Sequence, residues 1–226
     1  MIFYYCLAQG FNYPTPELAQ MIKEETFADV ITAAAKQLGF EVASAVEQLK
    51  NSICGFQSEN QLLSELQSEY TYLFINAPGH LPVPPYASVH LSKDQLCGLK
   101  IHEVLEFYRA AGVGVPSSFS DPPDHLAVEL EYMVYLLQNN LLELRERFLK
   151  EHFLLWVPSF SATYIAQGRR TPRTRSLRYA ATSLLAFRLP LLLPHSTKEH
   201  AMAITHVRAM HITMAMMFHA LPEGSM

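Results

Sequence analysis

Apolar residues recur at helical spacing in the most strongly patterned part of the chain, which begins SDPPDHLAVELEYM at residue 120. The apolar positions at three- and four-residue steps are Leu126, Leu130, Met133, Leu137, Leu141 and Leu144. This spacing predicts a helix with one buried face. We expect it to begin with Asp121 as the N-cap and Pro122 at the first helical position, and to end near Phe148. Asp124 would then accept hydrogen bonds from free N–H groups of its own first turn.

Shorter amphipathic segments predict several helices before residue 112. One begins with Thr15 as the cap and Pro16 at the first helical position. Two more are expected over about 25–38 and 41–53, separated by Gly39, and a fourth from about residue 59 into the motif EYTYLF. A further helix is expected after a cap at Ser92, with Gly112 and Gly114 ending it.

The rest of the chain is also predicted to be helical. Trp156 and Pro158 are expected to interrupt one helical region, which Gly168 ends, and two more helices are expected over about 171–192 and 197–221. Alternation typical of β-strands with paired turn signals is not found. We therefore predict a single all-α domain over 1–226, a compact multi-helix bundle. Its N-terminal block (about 1–111) and C-terminal block (about 121–221) would be joined by a linker at 112–120.

The stretch EYTYLFINAPGHLPVPPYASVHL, residues 69–91, forms the connection between two of these predicted helices. Pro78 ends the first helix, and the prolines at 82, 84 and 85 keep the following backbone extended. A stiff loop that presents Leu81, Val83 and Tyr86 would lose little entropy when it binds an apolar partner. The alternative is a stiff connector whose apolar side chains are part of the core, and the composition leaves both interpretations open.

Composition and charge exclude some classes of partner. Half of the 226 residues are apolar and the formal net charge is −4, which argues against binding to nucleic acid or an anionic membrane. The basic cluster, Arg169 to Arg178, is interpreted as either a phosphate-binding patch or a solvated, acid-paired surface. The N-terminus lacks the basic residues of a signal peptide, and the apolar run 184–193 is too short to cross a bilayer. These features predict a cytoplasmic protein without stable membrane insertion.

Residue patterns that carry common chemistry are not found. The sequence contains no GxSxG, Walker, GxGxxG or HExxH motif, which lowers the expectation of an enzyme. The three cysteines lack CxxC spacing and are expected to be buried free thiols. The C-terminal histidines, from His195 to His219, do not share one helical face, so no metal site is predicted. The stripe Met210, Met214 and Met217 is interpreted as core, or alternatively as an adaptable peptide-binding surface.

Asp124 and His125 are the most suggestive polar pair. Adjacent residues on a helix point about a hundred degrees apart, so adjacency alone does not imply a catalytic dyad. Asp124 has a capping role as its simplest interpretation, whereas His125 would bind a polar ligand if it faces a groove.

Five motifs in order carry a family resemblance: EYTYLF, PPYASVHL, FYRAAG, PPDHLAVELEYM and WVPSF. Together they resemble the TorD/DmsD/NarJ family of redox-enzyme maturation chaperones. The resemblance implies an all-helical, TorD-like fold and no catalysis as the primary role. It also implies binding of the apo catalytic subunit of a molybdenum oxidoreductase of the dimethyl-sulfoxide-reductase type, often through its twin-arginine leader. Assistance in cofactor insertion and proofreading before export would follow from that binding.

The resemblance places the peptide-binding residues at Leu73, Phe74, Pro84, Pro85, Tyr86, Ser88, Asp124 and His125. Leu73, Phe74 and Tyr86 would accept the apolar part of a leader, and Asp124 would pair with a leader arginine. Relatives often carry tryptophan where this chain has Tyr86. The C-terminal third departs further from the family pattern, so the resemblance does not identify the client oxidoreductase.

The sequence suggests two function classes besides the chaperone. One is a small helical GTP-binding or phosphate-binding protein, because some relatives bind GTP, although no phosphate loop is present. The other is a nucleic-acid binder built on the arginine cluster, which conflicts with the negative net charge. For the chaperone we expect no catalytic residue, no metal and no required cofactor, and either a monomer or a domain-swapped dimer.

Overall fold

A computed structural model describes residues 1–37, 39, 42–76, 82–91, 99–114 and 122–170, without the side chains of residues 99 and 168–170. This part of the chain is all-α, as predicted. Its helices are α1 (Ile2–Phe11), α2 (Pro16–Lys23), α3 (Thr26–Gln37), α4 (Ala43–Ile53), α5 (Glu59–Tyr70), α6 (Ala87–Leu91), α7 (Leu99–Ala110), α8 (Leu126–Gln138), α9 (Leu142–Phe148) and α10 (Leu154–Arg170). Two π-helical turns, Thr71–Ile75 and Leu149–Phe153, extend α5 and join α9 to α10.

Several sequence predictions concern residues outside the described part of the chain. They are Pro78, Leu81, the cap at Ser92, most of the linker (115–120), the cap at Asp121, the helices after residue 170 and the histidine and methionine positions in them. The arginine cluster also lies outside, apart from the backbone of its first two residues.

Local signals place the helices α2 and α5 correctly. The Thr15 side chain accepts a hydrogen bond from the Leu18 N–H at 3.3 Å, and Pro16 is the first residue of α2. Ser58 caps α5 in the same way, by accepting from Gln61 N–H at 3.2 Å. Gly112 ends the region of α7 with a φ of 73°, a backbone conformation that glycine adopts without strain.

Helix α1 was not predicted, and it lies at the centre of the fold. It packs against α8 and α3, and none of its residues is exposed. The buried side chains are Phe3, Tyr4, Cys6, Leu7, Ala8 and Phe11. A helix that is apolar on most of its circumference has no amphipathic pattern, which is why the periodicity did not indicate it.

The long helix predicted from Asp121 to Phe148 is wrong in its start and in its continuity. Helix α8 begins at Leu126 with His125 as its N-cap, and it ends at Gln138. Asn140 then adopts a positive φ of 56°, and α9 starts at Leu142. Asparagine tolerates the left-handed conformation better than other residues with a Cβ, so the pair Asn139–Asn140 breaks the helix. The apolar face is nevertheless as predicted over the first half of α8, where Leu126, Leu130 and Met133 are fully buried. In its last turn the predicted Leu137 is half-buried, and Leu136 is fully buried instead.

Replacement of Asn140 by alanine is expected to lower the free energy of unfolding by about 1 kcal/mol, because alanine is strained at positive φ. Urea denaturation followed by circular dichroism measures this loss. Asn139→Ala serves as the control at a position with a negative φ of −94°. Equal effects of the two substitutions would contradict the interpretation that backbone conformation at residue 140 creates the break.

The predicted interruption at Pro158 is also wrong, because α10 runs from Leu154 through Pro158 and Gly168 to Arg170. Proline lacks the N–H that would bond to the carbonyl four residues earlier, which here is Leu154. Leu154 directly follows the π-helical turn Leu149–Phe153, so the regular bonding pattern is already altered where the proline ring is accommodated. The sequence does not show such a turn, and the proline was therefore interpreted as a helix end.

The cysteines follow the prediction only in part. Cys6 in α1 is buried, whereas Cys54, which follows the last turn of α4, is exposed. The prediction of a buried thiol is therefore wrong for Cys54, and Cys97 lies outside the described residues.

Candidate functional site

Two motif segments that are distant in sequence, 85–88 and 124–126, lie side by side and form what we call the motif joint. The Leu126 N–H donates to the Pro85 carbonyl at 2.9 Å, and the Ala87 N–H donates to the Asp124 carbonyl at 3.0 Å. Tyr86 and His125 stand opposite each other as an isolated antiparallel bridge. The motif joint therefore fixes residues 82–86, which we call the proline loop, against the start of α8.

Asp124 is fully buried and connects the two segments through its side chain. Its Oδ2 accepts a hydrogen bond from the Ser88 N–H at 2.8 Å. Asp124 thus caps the start of α6, and not its own helix as predicted. The N-cap role at α8 belongs to His125, whose Nδ1 accepts from the Ala127 N–H at 3.2 Å. The second carboxylate oxygen, Oδ1, is buried and has no hydrogen-bond partner within the described residues.

Tyr86 carries the most accessible aromatic ring of the motif joint. Its ring meets the edge of the His125 ring at 5.3 Å between centroids and 72° between planes. His125 is only 5% exposed, whereas Tyr86 and the preceding Pro84 are half-buried. Pro85 and Ser88 are buried. In the joint, Tyr86 therefore has surface left for a partner, and so has the adjacent Pro84.

Leu73 and Phe74 lie on the π-helical turn Thr71–Ile75 and point into the core. They are 3% and 6% exposed. Phe74 packs against the rings of Phe11, Tyr70 and Tyr164. The Leu73 carbonyl accepts from the Val83 N–H at 3.4 Å, which ties this turn to the proline loop. The same turn exposes two other apolar side chains, Tyr72 (38%) and Ile75 (55%).

The sequence reasoning missed a buried polar cluster on α8, the helix that begins at the motif joint. Glu129 on α8 is fully buried. Its Oε1 lies 2.7 Å from His152 Nε2, and its Oε2 accepts from the Trp156 Nε1–H at 3.0 Å. One signal was available, because Glu129 lies three residues after Leu126 and four before Met133, on the helix face predicted to be apolar.

Burial and pairing shift the pKa values of this cluster. Burial raises the pKa of Glu129, and the hydrogen bonds and charge of its partners only partly oppose that rise. For His152, burial lowers the pKa, but attraction and hydrogen bonding to Glu129 outweigh it, so the net shift is upward. Both shifts favour proton uptake by the pair in the folded protein.

His90 on α6 connects this cluster to the proline loop. Its Nε2 lies 2.9 Å from the Pro84 carbonyl, which only an N–H on that nitrogen satisfies as a hydrogen bond. Its ring lies 5.6 Å from the Trp156 ring at 30° between planes, and meets Phe160 edge-on. Burial lowers the pKa of His90, and the bond to Pro84 acts in the opposite direction.

Within the described ranges, no three histidine, cysteine, aspartate or glutamate side chains are grouped so that they would hold a metal ion. The described helices are all too short or too polar to span a membrane.

Comparison with known proteins identifies a family model and several related chains. The family model described as nitrate reductase delta subunit matches residues 35–162. The chaperone protein TorD of a Psychrobacter species is 33% identical over 108 residues, which are 43% of this chain and 48% of that protein. The probable Tat proofreading chaperone DmsD of Haemophilus influenzae is 32% identical over 103 residues, which are 45% of this chain and 50% of that protein. These two matches span about half the length of each relative.

Two further matches cover more of the chain. The chaperone protein TorD of a Shewanella species is 30% identical over 156 residues, which are 65% of this chain and 74% of that protein. A crystal structure from Archaeoglobus fulgidus, named as a redox enzyme maturation protein, covers 83% of this chain and 93% of its own with a TM-score of 0.51 and 25% identity. The all-helical architecture is therefore shared with a protein of that name.

Proposed function

The chain belongs to the nitrate reductase delta subunit family, the TorD/DmsD/NarJ family of maturation chaperones, and from this premise we propose that it is a cytoplasmic chaperone for a molybdenum oxidoreductase. It would bind the apo catalytic subunit, its twin-arginine leader, or both. Binding would hold the client until its cofactor is inserted and would delay export until then. Because the relatives are named as chaperones, we propose binding and not catalysis as its role.

The motif joint is the observation that supports this proposal most directly. Backbone hydrogen bonds and the buried Asp124 carboxylate fix the proline loop, so little conformational entropy remains to be lost on binding. The half-buried Pro84 and Tyr86 then present a fixed apolar surface. An apolar leader segment would pack against such a surface, as extended and helical peptides do in preformed grooves.

The predicted binding residues divide into two groups by their exposure. We propose that Pro84 and Tyr86 contact the client and that the buried Pro85, Ser88, Asp124 and His125 hold them in place. The buried Leu73 and Phe74 would likewise hold the π-helical turn Thr71–Ile75 in place. The exposed Tyr72 and Ile75 of that turn would add apolar surface for the client. A direct pairing of Asp124 with a leader arginine remains a prediction, and it requires the carboxylate to become accessible.

A pull-down of the tagged protein from the cytoplasm of its own host, followed by mass spectrometry, tests the proposal. We expect recovery of a molybdoenzyme subunit that carries a twin-arginine leader. Tyr86→Ala is expected to weaken binding of that leader by about tenfold, because a contacting aromatic ring is lost. Tyr86→Trp should retain binding, since it keeps a flat aromatic surface.

The matched control is Tyr13→Ala, which removes an exposed tyrosine, 48% accessible, outside the proline loop. Binding should be unchanged in this variant. Recovery of no molybdoenzyme subunit would contradict the proposed function. Recovery of one with equal affinity for Tyr86→Ala would keep the function and move the contact surface away from the loop.

We propose no required cofactor for this role. Calorimetric titration with GTP and Mg²⁺ tests the alternative of a small GTP-binding protein, and no binding heat is expected. Sedimentation at several concentrations separates the monomer from the domain-swapped dimer.

A further inference from the structure

A continuous line of contacts leads from the buried carboxylate of α8 to the backbone of the proline loop. Glu129 accepts the indole N–H of Trp156 at 3.0 Å. The Trp156 ring faces the His90 ring at 5.6 Å. His90 in turn binds the Pro84 carbonyl at 2.9 Å. The line crosses from α8 to α10, to α6 and to the loop, so four segments meet through these side chains.

The chemistry of proline makes the end of this line important. Pro84 and Pro85 have no N–H, so their carbonyls are the only backbone groups by which hydrogen bonds fix the loop there. Both carbonyls are used: Pro85 accepts from the Leu126 N–H and Pro84 from His90. The bond to the Pro85 carbonyl belongs to the motif joint, whereas the bond to the Pro84 carbonyl depends on the orientation of the His90 side chain.

The orientation of the His90 ring depends on the Trp156 ring against which it packs. Trp156 is fully buried, and a buried indole needs an acceptor for its single N–H. The carboxylate of Glu129 provides this acceptor and thereby fixes the rotation of the ring on which His90 lies. A buried carboxylate is costly, and an apolar side chain of similar volume would fill the same space. The specific contribution of the Glu129 carboxylate is therefore to orient the Trp156 ring and not to fill space.

We propose that Glu129 and His90 are positioning residues, which act through Trp156 to hold the Pro84 carbonyl, and with it Tyr86, in the geometry for client binding. This inference rests on the proposed function only in its last step. The earlier step, that donor and acceptor chemistry at residues 129 and 90 orders the loop, is a property of the free protein.

Hydrogen–deuterium exchange of amides in the proline loop and at the start of α6 tests the structural step without a client. Reporter amides are Val83, Ala87 and Ser88, which donate to Leu73, the Asp124 carbonyl and the Asp124 carboxylate. Glu129→Met and Glu129→Gln compare the loss and the retention of an acceptor at nearly equal volume. A glutamine oxygen still accepts from Trp156, and its amide donates to a neutral His152.

His90→Phe and His90→Gln form the second pair and keep the test valid if Glu129→Met fails to fold. Phenylalanine preserves the ring but loses the donor to Pro84, whereas glutamine preserves an N–H donor. Leu136→Ala is the control for general destabilisation, because Leu136 is fully buried on the same helix. Exchange is compared at the reporter amides and at amides in the middle of α8.

Exchange at the reporter amides is expected to accelerate by about tenfold in Glu129→Met and His90→Phe, relative to the amides in the middle of α8. The two glutamine variants should rescue protection to within about threefold of the wild type. Leu136→Ala should not accelerate the loop selectively. Equal protection in His90→Phe and His90→Gln, or loop acceleration in Leu136→Ala as large as in Glu129→Met, would overturn the proposal.

Leader binding by the same variants then tests the final step. Loss of affinity in His90→Phe with rescue in His90→Gln is expected. If the wild type binds no leader, the proposed function fails, whereas the exchange result still decides whether Glu129 and His90 order the loop. If leader binding is unchanged in a variant whose loop exchanges faster, the positioning role in client binding is refuted.

Discussion

Replacement of Asp124 by alanine is expected to lower the free energy of unfolding by about 2 kcal/mol and to weaken leader binding together with it. The carboxylate is fully buried and accepts the Ser88 N–H, so its removal deprives α6 of a charge-assisted cap. The motif joint would open on the side of Ala87 and Ser88, and Tyr86 would lose its fixed position. Urea denaturation, followed by the fluorescence of the single tryptophan, measures the stability change.

Asp124→Asn separates the two roles that this residue has been given. The asparagine oxygen still accepts from Ser88, so the variant should retain stability to within about 1 kcal/mol of the wild type. If Asp124 acts as a cap, leader binding should also be retained. If the carboxylate pairs with a leader arginine, binding should fall while stability is preserved.

We expect the first outcome, because no part of Asp124 is accessible in the free protein. A suitable control is Asp29→Ala, which removes an exposed carboxylate in the first turn of α3. Its effect on stability should be within about 0.5 kcal/mol. Strong loss of leader binding in a fully stable Asp124→Asn would instead establish direct recognition of the arginine.

The contrast between Thr15 and Asp124 shows which parts of the fold the sequence determines locally. Thr15 caps the helix that immediately follows it, so a pattern within four residues was sufficient to predict α2. Asp124 stands in a sequence context equally typical of an N-cap, but its acceptor serves Ser88, 36 positions earlier in the chain. A cap supplied by another segment depends on tertiary structure, which propensity and spacing do not encode.

In the candidate site, too, some features follow from the sequence and others depend on tertiary structure. Its residues were named from motifs by resemblance, and the structure brings the segments of Tyr86 and His125 into contact. What the motifs did not indicate is that Asp124 and His125 are buried while Tyr86 is only half-buried. Exposure is decided by packing between elements, so the sequence predicted membership of the site but not the role of each member.

Glu129 is an exception to the rule that the buried face of a helix is apolar, and this exception was visible in the sequence. Periodicity placed position 129 on the buried face of α8, where a carboxylate is unfavourable without partners. Its partners, His152 and Trp156, follow 23 and 27 residues later in a region whose π-helical turn was not predicted. A polar residue on an otherwise apolar helix face therefore indicates a buried network, although it does not identify the partners.

The same network leads to the second large effect, a loss of stability as the pH rises above about 6.5, the ordinary pKa of histidine. The pKa of His152 is raised in the folded protein, so its contribution is fully present below 6.5 and is lost as the pH rises through the folded value. The raised pKa of Glu129 acts in the same direction from its ordinary value of 4.5 upward. In both cases the folded state binds more protons than the unfolded state, so the free energy of unfolding falls with pH.

Where one proton is taken up on folding, the free energy of unfolding falls by up to about 1.4 kcal/mol for each unit by which the pH rises. Other charges near the pair modify the midpoint without reversing the sign, since Asp124 and Glu103 both raise the pKa of His152. His90 has the opposite effect, because its pKa is lowered in the folded protein and its contribution to stability falls as the pH drops below 6.5. His90→Phe lacks this titrating group, so comparison with that variant identifies the contribution of His90. Urea denaturation of wild type and Glu129→Gln across the neutral to alkaline range isolates the pair.

The glutamine keeps a hydrogen bond to each partner but removes the charge that raises the pKa of His152, so its stability should vary much less with pH. Wild type should therefore be the more pH-sensitive protein, and the difference between the two should shrink steadily as the pH increases. Parallel curves for wild type and Glu129→Gln would mean that the pair binds no additional proton on folding. The carboxylate would then serve only as an acceptor, which glutamine also provides, and the positioning role of Glu129 would stand without any proton linkage.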